Sequence, residues 1–290
     1  MEKRNILLDI IRGVVIGVAN IIPGVSGGTM MVSMGIYDKL IHCITHVFKE
    51  FKKSIVTLLP YVIGMAVGLV GLSVPIKWGL RTQPLPTACL FVGLILGSLP
   101  MIWSEMKNEK KGAGGAALFI LFFGLIILQQ ATAGTNEAAF VLSVGEVVKL
   151  FFLGCLASAA MVIPGVSGSM LLMLAGYYGV VTGALHLESG LGTSLGILLP
   201  FGLGVVAGIF GVSKLIEVLL AKWKGLTYCA IMGLVLASPV AIVWTAFRPA
   251  EGKVLPTLDA VTIVLSLVML AVGFAAAWYL AGLDKKNKLR

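Results

Sequence analysis

The residues Pro23, Gly24, Val25, Ser26 and Gly27 recur as Pro164, Gly165, Val166, Ser167 and Gly168, 141 positions later, both times inside otherwise apolar sequence. Proline lacks an N–H and glycine favours turns, so no regular helix continues through such a stretch. The chain must therefore break twice, at matching places. Gly35 and Tyr37 match Gly176 and Tyr178 in the same register. At an offset of 140, Leu58, Leu59, Pro60, Gly64, Gly68 and Gly71 match Leu198, Leu199, Pro200, Gly204, Gly208 and Gly211. Cys89, Gly93, Leu94, Leu96 and Ser98 then match Cys229, Gly233, Leu234, Leu236 and Ser238. So many Gly, Pro and Cys coincidences at one spacing identify an internal duplication.

Hydrophobic residues make up 58% of the 290, only 12% are charged, and the mean hydropathy is +1.02. An ordinary soluble domain carries about 25% charged residues, so the expectation is an all-α polytopic membrane protein. The first half, residues 1–134, holds apolar segments at about 5–22, 26–47, 55–76, 85–104 and 113–132. The second, residues 135–290, holds them at about 144–163, 166–186, 194–219, 226–247 and 258–282. Only 25 uncharged residues separate Arg12 from Asp38, whereas two crossings need about 40. The spacing predicts a re-entrant hairpin over 5–47, and by symmetry another over 144–186, each followed by three transmembrane helices. Either way a half ends on the side opposite to its start, so the two repeats are expected to be inverted.

The net charge of +9 does not point to nucleic acid, because Lys and Arg cluster between apolar segments. With the N-terminus inside, 17 of the 22 basic residues fall on the cytoplasmic side, and only Lys77, Arg81, Lys149, Arg248 and Lys253 fall outside. This positive-inside bias places both termini in the cytoplasm. The N-terminal stretch lacks a convincing signal-peptidase site and has a counterpart in the second half, so it is expected to stay in the mature protein.

A broken segment at membrane depth needs partners for its backbone groups from protein, water or ligand. Ser26 is placed to cap a helix starting at Gly27, and that helix start, with the Thr29 hydroxyl and close backbone approach at Gly24, Gly27 and Gly28, suits a phosphate or carboxylate. Gly165, Ser167, Gly168 and Ser169 repeat the pattern in the second copy. Arg12, embedded in apolar sequence where the second half has Leu153, is either a phosphate ligand or an interfacial arginine paired with Asp9. Tyr37 and Tyr178 either line the cavity or anchor at the interface. Glycines 64, 68 and 71, with 204, 208 and 211, are expected to permit close helix packing.

Other chemistry is sparse. His42 and His46 have the spacing of metal ligands, but no third ligand is apparent, and no metal or cofactor is expected. Cys43, Cys89, Cys155 and Cys229 form no C-x-x-C and are expected to be packing residues. With no nucleophile triad, carboxylate pair or P-loop, the chain is not expected to be an enzyme.

The run from Gly17 to Thr29, G-V-A-N-I-I-P-G-V-S-G-G-T, with G-I-Y-D-K-L at Gly35 to Leu40, resembles the bacterial polyprenyl-phosphate transporter family. Val162 to Met170 with Gly176 to Tyr178 is similar to that family's second motif, and the likeness covers nearly the whole chain. The resemblance implies return of undecaprenyl phosphate from the outer to the inner leaflet of the cytoplasmic membrane for reuse in cell-wall polymer synthesis. It also implies a phosphate-binding role for Arg12, Asn20, Ser26, Gly27, Gly28, Thr29, Ser167, Gly168 and Ser169. Asn20 stands where a carboxylate would serve proton coupling. A small-anion transporter or channel and a non-transporting membrane scaffold are the rival expectations, and the sequence leaves a homo-oligomer and a coupling ion open.

Overall fold

Long runs of Leu, Ile, Val, Ala and Gly pair their backbone groups internally only as helices when lipid surrounds them. The computed structural model describes residues 5–20, 26–107, 109, 112–132, 140–185, 190–249 and 253–288, without the side chains of residues 170 and 280–288. Among the described residues all regular structure is helical: α1 (Ile6–Ala19), α2 (Gly27–Ser33), α3 (Tyr37–Thr45), α4 (Phe51–Gly71), α5 (Ser73–Thr82), α6 (Pro84–Met106), α7 (Gly112–Thr132), α8 (Val144–Val162), α9 (Gly168–Ala175), α10 (Tyr178–Leu185), α11 (Leu191–Phe247) and α12 (Ala260–Lys288). Six of these are long and apolar enough to cross a membrane: α4, α6, α7, α8, α11 and α12.

Several segments subdivide relative to the sequence expectation: that at 26–47 forms α2 and α3, and that at 166–186 forms α9 and α10. The segment expected at 55–76 ends as α4 at Gly71, and α5 begins separately at Ser73. Pro75 explains this, because its ring would clash with the carbonyl four residues earlier, at Gly71. The segments expected at 194–219 and 226–247 both lie in α11, which is two helices meeting without a loop at a kink at Trp223 (φ −136°, ψ 51°), between the expected segments.

Glycines set the helix contacts. A Cβ on Gly64 would lie 2.1 Å from the Ile10 carbonyl oxygen, and one on Gly68 would lie 2.3 Å from that of Val14, so α1 and α4 run parallel at backbone contact. In the second half, Gly204 and Gly208 meet the Phe151 and Cys155 carbonyls of α8 at 1.9 and 2.5 Å in the same way. Likewise Gly93 of α6 meets Leu270 of α12 at 2.1 Å, and Gly233 of α11 meets Phe119 of α7 at 2.4 Å. Gly71 and Gly211 differ from the expectation: both face open space, because by that turn no partner helix lies against them. Gly35 (φ +66°) and Gly176 (φ +79°) turn the chain after α2 and α9 in the left-handed region, which explains glycine at both matched positions.

The main core gathers Ile16, Met30, Tyr37, Ile41, Phe91, Ile95, Ile102, Tyr228 and Val235, joining α1, α2, α3 and α6 to the second part of α11. All four cysteines are free thiols, with Cys43 and Cys229 buried.

Candidate functional site

The first broken segment seats itself on the second. Ser26 is extended (φ −113°, ψ 141°) and caps α2 by accepting from the Gly28 N–H at 3.2 Å. Its hydroxyl also lies within donating distance of the Ala160 and Ile163 carbonyls, at 3.4 and 3.3 Å. Thr29, fully buried, accepts from the Gly165 N–H at 2.6 Å, and the Tyr37 hydroxyl donates to the Val162 carbonyl at 3.1 Å. The last carbonyls of a helix have no partner within it, so Ser26 and Tyr37 meet carbonyls released where α8 ends, while Thr29 accepts from an N–H of the turn that follows. Gly28 is pressed against the same stretch, since a Cβ there would sit 2.7 Å from the Val162 carbonyl oxygen.

In the second copy Gly165 has φ +80° and its Cβ would meet the Leu234 carbonyl at 2.6 Å. Ser167 stands at the start of α9 without capping it; its hydroxyl pairs with that of Ser169 at 3.0 Å. Gly168 lies against Ala157. Asn20 ends α1, donates to the Ile16 carbonyl at 3.1 Å, and packs beside Gly27. Gly24 lies outside the described residues. Tyr178 is exposed on α10, whereas Tyr37 is buried.

Arg12 lies elsewhere, in a cavity of about 280 Å³ that it lines with Tyr37, Asp38, Lys39, Glu105, Tyr228 and apolar residues of α2 and α6. Arg12 is buried, and Asp38 and Lys39 are exposed, so the cavity runs from a guanidinium to a charged rim. Asp9, also buried, stands 3.8 Å from Arg12 and accepts from the Tyr61 hydroxyl at 2.5 Å. Tyr228 donates to the Asp38 carboxylate at 3.0 Å, and Lys224 pairs with Glu105 at 2.9 Å. Arg12 therefore stands beside Asp9, as the second of its two expected readings has it, and also lines a cavity.

No motif in the sequence marks Asp9, Tyr61, Glu105 or Tyr228 as site residues. Comparison of the halves carries the missing signal: Asp9, Arg12 and Tyr61 align with Leu150, Leu153 and Phe201, which pack together in an apolar cluster. A polar trio thus replaces an apolar one at equivalent positions. Beside the cavity, an apolar pocket of about 960 Å³ lies between α6, α7 and α11, lined by residues that include Leu99, Trp103, Met106, Phe119, Cys229 and Met232.

The chain matches, over residues 16–252, a family model described as undecaprenyl phosphate translocase-like. It is 33% identical over 288 residues to a polyprenyl-phosphate transporter of Staphylococcus aureus, covering 97% of this chain and 98% of that one. It is 28% identical over 259 residues to a polyprenyl-phosphate transporter of Vibrio cholerae, covering 82% of this chain and 77% of the other. No solved structure matches it.

Proposed function

Because the chain belongs to the undecaprenyl phosphate translocase-like family, we propose that it transports a polyprenyl phosphate, returning the lipid carrier from the outer to the inner leaflet of the bacterial cytoplasmic membrane. The observation that carries the mechanism is a cavity with Arg12 in its wall and an apolar pocket on the same turns of two helices. Met101, Ile102 and Glu105 of α6 and Tyr228 of α11 line the cavity, while Pro100, Trp103, Met106, Cys229 and Met232 line the pocket. A phosphate monoester joined to a long isoprenoid needs this pairing. An ion stripped of water costs several kcal/mol unless charge and hydrogen bonds replace the water, and the Arg12 fork matches phosphate geometry. The tail follows the apolar pocket and stays continuous with lipid.

The repeats are inverted, and the first begins with a re-entrant hairpin, whereas α8, at 19 residues, is long enough to cross. In support, α1 and α4 run parallel, which requires the chain to come back between them through α2 and α3, and α8 and α11 do the same. With 14 residues α1 is about 21 Å long, short of the roughly 30 Å hydrocarbon core. Both termini are cytoplasmic, and the Arg12 cavity faces the cytoplasm. Charged residues of that cavity cluster at one end of α6 and of the second part of α11, with Arg81, Arg248 and Lys253 toward the other end.

The contacts of Ser26, Thr29 and Tyr37 with residues 160–165 close the path beyond Arg12. When one repeat rocks against the other these contacts release, and Asn20, Gly24, Ser26, Gly27, Gly28, Thr29, Gly165, Ser167, Gly168 and Ser169 hand donors to the passing head group. The recovered carrier then re-enters cell-wall polymer synthesis. The test is leaflet exchange of a long-chain polyprenyl phosphate in proteoliposomes. Exchange that requires the protein and falls with Arg12→Ala is expected. Flux of inorganic phosphate or halide without lipid exchange would overturn the reading.

A further inference from the structure

His42 and His46 lie one turn apart at the C-terminal end of α3, a pair that in sequence lacks a third ligand. The fold supplies one from 175 positions away: Glu217 of α11 places Oε1 3.1 Å from His42 Nδ1 and 3.2 Å from His46 Nδ1. Ligand atoms from all three residues lie within 4.8 Å of one another, and the two imidazoles stack with centroids 4.1 Å apart. His46 Nδ1 also has the Thr45 hydroxyl at 3.0 Å and the His42 carbonyl at 3.1 Å. One ring nitrogen carries at most one proton, so it cannot donate to three oxygens at once. A tetrahedral zinc ion with bonds of about 2.0–2.1 Å holds its ligand atoms about 3.4 Å apart. The two histidine–carboxylate separations, 3.1 and 3.2 Å, are within a few tenths of an ångström of that spacing.

We propose that His42, His46 and Glu217 bind a divalent transition-metal ion of the zinc class, with water completing the coordination. Two imidazoles and one carboxylate form a known three-ligand zinc set, and this donor mixture excludes the all-oxygen environment that magnesium and calcium prefer. The His42 and His46 side chains are 51% and 23% exposed and that of Glu217 is 21% exposed, so an ion enters from the aqueous side. Lys214 Nζ, 2.8 Å from Glu217 Oε2, is the cation it competes with. Because α3 follows the first break and α11 belongs to the other half, a bound ion clips the halves together. This site is independent of the transported substrate.

The experiment uses the full chain in detergent micelles, titrated with Co²⁺ and followed by ligand-field absorption, and with Zn²⁺ followed by calorimetry. Saturation at one ion per chain is expected, weakened at least about tenfold by His42→Ala, His46→Ala or Glu217→Gln. His186→Ala, the remaining histidine of the three, is expected to leave binding unchanged. Lys214→Ala is expected to tighten it, a gain that misfolding cannot produce. Absence of saturable binding, binding retained by the His42→Ala/His46→Ala double variant, or no tightening in Lys214→Ala would overturn the proposal.

Discussion

Replacing Arg12 with alanine does two separable things. It removes the guanidinium lining the cavity, and it takes that cation away from Asp9, which is only 4% exposed. A hydrogen bond to a charged group contributes about 1.5–3 kcal/mol, and each 1.4 kcal/mol is about tenfold, so losing one such bond to phosphate weakens binding by about 10- to 150-fold. The second effect acts on the fold. Asp9 keeps the Tyr61 hydroxyl at 2.5 Å but loses the cation 3.8 Å away, and breaking a buried pair from one side costs about 3–5 kcal/mol. Asp9→Asn removes that buried charge while its amide oxygen still accepts from Tyr61. The Asp9→Asn/Arg12→Ala double variant should therefore melt near the wild type yet bind and exchange polyprenyl phosphate poorly. Asp9→Asn alone should bind it more tightly, since the carboxylate that competes for Arg12 is gone. Melting in micelles, lipid binding by native mass spectrometry and exchange in proteoliposomes read the two effects separately. A double variant with wild-type melting and wild-type exchange at limiting lipid would refute the role given to Arg12.

Thr29→Val leaves the buried Gly165 N–H without its acceptor and should cost about 1–3 kcal/mol in thermal unfolding, whereas Thr29→Ser should cost little. Gly204→Ala should destabilise strongly because its Cβ would lie 1.9 Å from the Phe151 carbonyl oxygen. Gly211→Ala, in open space, should melt at or above the wild type, with up to about 1 kcal/mol of helix propensity in its favour. Ala116→Trp narrows the apolar pocket and should slow exchange of long-chain polyprenyl phosphates more than short-chain ones; equal slowing would place the tail elsewhere.

Local chemistry is legible in the sequence. In the second copy α8 ends at Val162, two residues before Pro164, Ser26 caps α2 as its position implies, and Gly35 and Gly176 mark left-handed turns. Glycines at 64, 68, 204 and 208 correctly announce close helix contact, but the same four-and-three spacing misleads at Gly71 and Gly211, because helix crossing decides which turns still touch. Partners separated by more than a hundred residues are invisible: Tyr228 on Asp38 and Glu217 on the histidines depend on how α11 packs across α3. Nor does a hydroxyl's sequence position reveal whether it faces a ligand or, as for Thr29, a backbone N–H of the other half. The polar trio of Asp9, Arg12 and Tyr61 lies between these cases. It emerges only when one half is laid on the other and the apolar trio Leu150, Leu153 and Phe201 stands in its place.

Whether Arg12 holds the phosphate of the transported lipid is decided by a structure of the full chain in a lipid nanodisc loaded with undecaprenyl phosphate. Phosphate density within hydrogen-bonding distance of Arg12 is expected, with the isoprenoid leaving past Trp103, Phe119 and Met232. Lipid density confined to the outer surface of α4 or α12, with the Arg12 cavity holding no phosphate in a transport-active preparation, would contradict that role.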